Sequence, residues 1–139
     1  MTRVLLDTNV VLDFLLDRVP FADAAATLWQ ANDAGEITAY VSAITPVNVF
    51  YIARKLKGVE TARRLVESLL TACRVCAPGR DALLSALVLP VKDFEDAVQV
   101  VSAQEEALDA LITRDPNDYK GVSFPIFSPD DFLKQFALN

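Results

Sequence analysis

Hydrophobic and polar positions along the chain alternate between two periods. Residues 3–6, Arg-Val-Leu-Leu, form a short apolar run stopped by Asp7, which predicts a buried strand ending in a loop. Apolar positions then recur every three or four residues at Val11, Leu12, Leu15 and Leu16, predicting a helix from near Val10 with Asp7 or Thr8 as its cap. Phe21, Ala24, Ala25, Leu28 and Trp29 predict a second helix after Pro20, closed by Gly35. Thr38 to Ser42 reads as a strand. Ile44 to Lys57 reads as a helix with Pro46 in its first turn and Gly58 as its stop. Val59 to Ala72 is amphipathic, with Ala62, Leu65, Val66, Leu69 and Leu70 in one stripe. Val75 to Ala77 reads as a strand, Pro78-Gly79-Arg80 as a turn, and Asp81 to Leu87 as a short helix stopped before Pro90. A helix over Asp93 to Glu106, strands at Ala110 to Thr113 and Phe124 to Phe127, and a last helix over Pro129 to Phe136 complete the pattern.

Strands alternating with helices imply an α/β fold with a largely parallel sheet. No linker, repeat or low-complexity tract divides the chain, so residues 1–139 are expected to form one domain. In parallel sheets, ligands sit beyond the C-terminal strand ends, near a reversal of strand order. That rule selects Asp7, after the first strand, and Asp115, after the Leu111-Ile112 strand.

Composition narrows the chemistry. The chain has no histidine, against 19 acids and 13 Lys plus Arg, for a net charge of −6. Imidazole general bases, Ser-His-Asp triads and His-ligated zinc are excluded. Acid–base or metal chemistry must rest mainly on carboxylates, which are hard ligands for Mg²⁺, Mn²⁺ or Ca²⁺. Cys73 and Cys76 form a C-x-x-C after a helix rather than at a helix N-terminus, so buried apolar thiols are expected rather than a redox or metal pair. The apolar run at the N-terminus is too short for a signal peptide, and no run reaches membrane-spanning length. A cytoplasmic protein is expected.

The carboxylates have a pattern. Asp93 and Asp96 lie three apart at the start of a helix and can share a face. If the first strand neighbours the 111–113 strand, Asp7, Asp96 and Asp115 converge. Three carboxylates in one concavity repel one another unless a divalent cation neutralises them, and such a cation could activate water against a phosphodiester. Taken singly, each acid also has a structural reading. Asp7 could cap the first helix, Asp93 could open a capping box, Asp96 could favour the helix dipole, and Asp115 could be a turn residue.

Four segments in this order resemble the PIN domain family of VapC-like toxins and PilT N-terminus-type ribonucleases. They are Val4-Leu5-Leu6-Asp7-Thr8-Asn9, Ser42-Ala43-Ile44-Thr45, Asp93-Phe94-Glu95-Asp96-Ala97, and Leu111-Ile112-Thr113-Arg114-Asp115 with Asp118-Tyr119. The resemblance implies a three-layer α/β/α sandwich. It assigns Asp7, Asp96 and Asp115 as catalytic, metal-binding acids and Asn9, Asp93 and Thr113 as supporting residues. It implies Mg²⁺ or Mn²⁺ as cofactor, single-stranded RNA as substrate, a homodimer and, in the toxin branch, an antitoxin partner. The family's usual glutamate in the third helix is replaced here by Asn48, which offers a carbonyl oxygen but no charge.

Arg54, Lys55, Lys57, Arg63 and Arg64 cluster within a short stretch that contains only Glu60 as an acid. Phosphate contacts are expected from Arg54, Lys55 and from Arg114, beside Asp115; a solvated helix face is the other reading of the cluster. Three functions compete. The first is a metal-dependent endoribonuclease, the toxin of a toxin–antitoxin pair. The second is a catalytically weak or inactive PIN-like module that binds nucleic acid or protein. The third is a receiver-type phosphoacceptor, which would need a strand-end lysine that the chain does not show.

Overall fold

β1 (Thr2–Leu6) lies at the centre of a parallel sheet because it is apolar on both faces. The computed structural model describes residues 2–136. Val4 and Leu6 point into one core and Leu5 into the other, the period-two alternation of a strand covered on both sides. β2 (Ile37–Ser42) and β3 (Arg74–Cys76) extend the sheet to one side of β1. β4 (Ala110–Ile112) and β5 (Ile126–Phe127) extend it to the other. The order is β3-β2-β1-β4-β5, every pairing parallel, so the order reverses between β1 and β4.

Helices cover both faces, making the expected three-layer α/β/α sandwich. α1 (Thr8–Leu15), α2 (Ala22–Asp33), α3 (Ile44–Lys57), α4 (Val59–Ala72) and α7 (Pro129–Gln135) contribute to the core around Val4, Leu6 and Ile112. α6 (Phe94–Glu105) covers the other face around Leu5 and Leu111, with α5 (Arg80–Ala86) packed against it. The limits of α3 and α4 fall where the pattern placed them, because Gly58 between them takes φ +89°, which other residues adopt only with strain. Both cysteines are buried and unpaired, Cys73 in one core and Cys76 in the other. Burial pushes their thiols up to about 12 and about 11, which makes them inert.

Some expectations need correction. Asp7 occupies the N-cap position of α1, but neither its side chain nor that of Thr8 caps the helix. The Asp7 carboxylate is drawn elsewhere, as shown below, and the Thr8 hydroxyl bonds Thr45 at 2.9 Å. Leu70 is 48% exposed although it continues the α4 stripe, because α4 buries only a narrow seam around Ala62 and Leu69. The last strand is two residues long, and the strand read over Val75 to Ala77 begins one residue earlier. A 3₁₀ turn at Pro116–Tyr119, unmarked by any apolar period, follows β4.

Phe132 is fully buried on α7 and stacks on Phe136 at 4.3 Å. It also meets Phe127 of β5 edge-on, closing the β5 side of the core. Phe132→Ala is expected to cost about 3–5 kcal/mol of folding stability. Urea unfolding followed by the buried, unique Trp29 measures it; a loss under about 1 kcal/mol would show that α7 is dispensable to the core.

Candidate active site

The reversal of strand order between β1 and β4 opens a crevice at their C-terminal ends, and Asp7 stands in it. The Asp7 backbone N–H donates to the Ile112 carbonyl at 2.9 Å, continuing the β1–β4 pairing one residue past the strand. Its side chain is 5% exposed. Three donors meet that buried carboxylate. Gln99 Nε2 donates to Oδ1 at 2.9 Å; Thr113 Oγ1 and Tyr119 Oη donate to Oδ2 at 2.7 and 3.0 Å. A carboxylate accepts about four hydrogen bonds, so about one acceptor position remains.

α6 supplies the opposite wall. Asp96 and Gln99 lie three apart on one helix face, so the residue that grips Asp7 sits a turn below Asp96. The Tyr119 hydroxyl reaches both acids, 3.0 Å from Asp7 and 3.1 Å from Asp96 Oδ1. One hydroxyl carries one proton and cannot donate to two carboxylates at once. Burial and the charge of Asp7 push the Asp96 carboxyl up to about 7, with the Tyr119 hydrogen bond opposing them. Asp96 therefore sits near half-protonation at neutral pH in the absence of a cation. Burial and the same anionic neighbours drive Tyr119 well above its ordinary value and keep it a neutral donor.

Asp93 and Glu95 stand beside Asp96. Asp93 Oδ1 accepts the Asp96 backbone N–H at 3.0 Å, so the capping reading of Asp93 holds. Burial first, then Asp7 and Asp93, raises the Glu95 carboxyl. The Asn48 amide of α3 donates to Glu95 Oε2. Glu95 did not stand out in the sequence, where it reads as one more acid in the first turn of a helix. The only signal that could have found it is the missing charge at Asn48.

Carboxylate oxygens of Asp93, Glu95 and Asp96 lie within 4.8 Å of one another. A hard divalent cation with oxygen ligands at about 2.0–2.6 Å needs donors at that spacing. The donors are oxygens, and among the described residues Gln99 Oε1, on the side chain whose Nε2 donates to Asp7, is buried without a hydrogen-bond partner. The residues fit a Mg²⁺- or Mn²⁺-type ion.

The other expected residues are placed less centrally. Asp115 is exposed; its Oδ2 accepts from Asn9 Nδ2 at 3.5 Å, and it lies outside the Asp93–Glu95–Asp96 group. Its backbone N–H donates to Thr113 Oγ1, and Asn9 Oδ1 accepts the Arg114 N–H, so both residues pin the loop after β4. The Arg114 side chain pairs with buried Asp13 at 3.4 Å and lies over the Phe21 ring at 4.1 Å, which occupies it within the fold. Arg54 and Lys55 are exposed near the end of α3, about 9–10 Å along the helix from Asn48. Two basic residues that the sequence reading passed over are closer. Lys92 and Lys120 line a cavity of about 470 Å³ together with Asp93, Asp96, Asn117 and Asp118.

The PIN domain family model matches residues 3–117. The fold is similar to DNA-bound VapBC from Salmonella typhimurium, with a TM-score of 0.73, 17% identity, and 93% of this chain and 99% of that one covered. It is also similar to a toxin–antitoxin complex from Klebsiella pneumoniae, at TM-score 0.68 and 24% identity, covering 91% of this chain and 97% of that one. A third likeness is VapC20 of Mycobacterium tuberculosis, a sarcin-ricin loop cleaving toxin, at TM-score 0.64 and 15% identity, covering 78% and 86%. Among curated proteins there is no significant match.

A carboxyl raised on folding favours the folded state at low pH, and that contribution is lost as pH rises through its folded value. For Asp96 the window runs from its ordinary 3.8 to about 7. With EDTA present, Asp96→Asn is expected to melt above the wild type at about pH 8, the gap closing towards about pH 4. A difference in Tm that ignores pH would contradict the Asp7–Asp96 repulsion.

Proposed function

Because the chain belongs to the PIN domain family, we propose that it is a divalent-metal-dependent endoribonuclease that hydrolyses single-stranded RNA, the toxin of a toxin–antitoxin pair. One observation carries the reading. Buried Asp7 is joined through a single tyrosine hydroxyl to Asp96, at the mouth of a cavity that also holds two lysines. The cleavage of a sarcin-ricin loop by one structural relative supports RNA as the substrate class.

Asp7 and Asp96 would hold Mg²⁺ or Mn²⁺, with Asp93 beside them. When bound, the ion polarises a phosphoryl oxygen and acidifies water. Gln99, Thr113 and Tyr119 fix the orientation of Asp7. Asp115, whose carboxylate accepts from Asn9, would orient the attacking water from the loop edge. In the reaction a water oxygen bonds to phosphorus, one ester P–O bond breaks, and the departing oxygen takes a proton. Lys92 and Lys120 contact phosphates of the strand in the cavity, and Arg54, Lys55 and Arg114 lie further out.

The likeness to VapBC and other toxin–antitoxin structures supports an antitoxin partner, and a homodimer belongs to the same proposal. Exposed Val47, Tyr51, Ile52 and Leu56 on α3 offer apolar surface for such contacts. A cytoplasmic location belongs to the same proposal, supported by the two unpaired thiols. No helix of the described residues is long and apolar enough to cross a membrane.

A second reading, a PIN-like module that binds without cleaving, is favoured by Asn48 and by the exposed position of Asp115. Incubation of purified protein with fluorescent single-stranded RNA and Mn²⁺ separates the two. The nuclease reading expects cleavage that EDTA abolishes and that Asp7→Asn or Asp96→Asn lowers by about 100-fold or more. Cleavage should also fall as pH drops below about 7, because protonation of Asp96 competes with the ion. RNA bound but never cut would favour the second reading. Separately, Lys92→Ala with Lys120→Ala is expected to flatten the salt dependence of RNA binding by about two phosphate contacts; an unchanged slope would remove these lysines from the strand's path.

A further inference from the structure

The geometry points to Glu95 as the acid that replaces the charge absent at Asn48, completing the cation site from α6 instead of α3. This rests on the nuclease reading above and adds one residue to its site. Asn48 stands on α3, in the first turns of that helix, and Glu95 stands in the first turn of α6. The Asn48 amide links the two helices there by donating to Glu95 Oε2. An asparagine at this position therefore does a specific thing. Its N–H steers the Glu95 carboxylate, where a second carboxylate would repel it.

The other features of the site agree. Glu95 oxygens lie within 4.8 Å of those of Asp93 and Asp96, so its charge is delivered to the same small volume. Glu95 is half-buried rather than standing on an outer face. Asn48 engages only one of the two Glu95 oxygens, Oε2. Moving a carboxylate from one side of a hydrogen bond to the other keeps the site's total charge while changing which helix carries it. Asn48 then acts as a positioning residue and Glu95 as a ligand or as the acceptor for an ion-bound water.

The test reads metal affinity without RNA or turnover. Mn²⁺ binding to the full chain is measured by calorimetry and by the loss of the free-ion electron paramagnetic resonance signal, with Tm as a check on folding. Glu95→Gln is expected to weaken Mn²⁺ binding about tenfold or more. Asn48→Glu alone should lower the Tm of the metal-free protein by setting two carboxylates against each other, and Mn²⁺ should restore it. Combining Asn48→Glu with Glu95→Gln exchanges amide and carboxylate across the same contact and should return affinity to within about threefold of the wild type. Glu95→Gln binding Mn²⁺ as tightly as wild type overturns the inference while leaving the nuclease reading intact. A weakened Glu95→Gln that the exchange fails to rescue, with Tm unchanged, also overturns it. A wild-type chain that binds no Mn²⁺ overturns both.

Discussion

A carboxylate buried at the end of the central strand organises this molecule. Taking Asp7 out of water is costly unless its charge is met by hydrogen bonds or by a counter-charge. The fold meets it with one donor from each of three separate segments: Gln99 from α6, Thr113 from the end of β4 and Tyr119 from the 3₁₀ turn. None of these segments is near β1 in the chain. The adjacency of β1 and β4, the rotation of α6 about its axis and the return of the 116–119 turn must all be correct for one buried charge to be solvated. No cationic side chain is among its donors.

That arrangement explains why the opposite wall is anionic. Burial, with repulsion from the Asp7 charge second, acts on Glu95 and Asp96 in the first turn of α6. The helix N-terminus offsets part of this repulsion. Burial first, and what is left of the repulsion second, raise the carboxyls of Asp96 and Glu95. A carboxyl that holds its proton near neutrality must lose it before it can serve the divalent ion of the proposed site. The electrostatics and the chemistry thus have one origin.

Much of the fold was legible in the sequence. α3 and α4 were readable because Pro46 and Gly58 punctuate them and because their apolar spacing is unbroken. β1 and β4 were readable as short apolar runs because both faces are covered. β5 and the 3₁₀ turn were less so, since two residues carry no period and a turn of four has no face to bury. The acids Asp7 and Asp96 were legible by their positions at a strand end and a helix start. Gln99, Tyr119 and Glu95 were not, because a glutamine in a helix, a tyrosine in a loop and a glutamate in a first turn are each unremarkable in one dimension. Lys92 and Lys120 escaped for a related reason: they lie far apart in the chain and meet only across a cavity. In sequence Arg114 could reach a phosphate or pair with a nearby acid, and the packing decides for the acid, Asp13, with the Phe21 ring beneath it.

The sequence by itself determined the layered α/β architecture, the absence of imidazole chemistry and the abundance of carboxylates at strand and helix ends. These follow from composition and from periodicities that each segment carries alone. Tertiary structure decided which carboxylates share a volume. It set Asp96 beside Asp7 and Glu95, left Asp115 exposed on the loop, and faced Asn48 towards Glu95. The physical reason is that electrostatic coupling depends on distance in space and on burial, and both are products of strand order and helix rotation. A one-dimensional reading finds the acids at strand and helix ends, but the charge that substitutes for a missing glutamate comes from a helix remote in the chain.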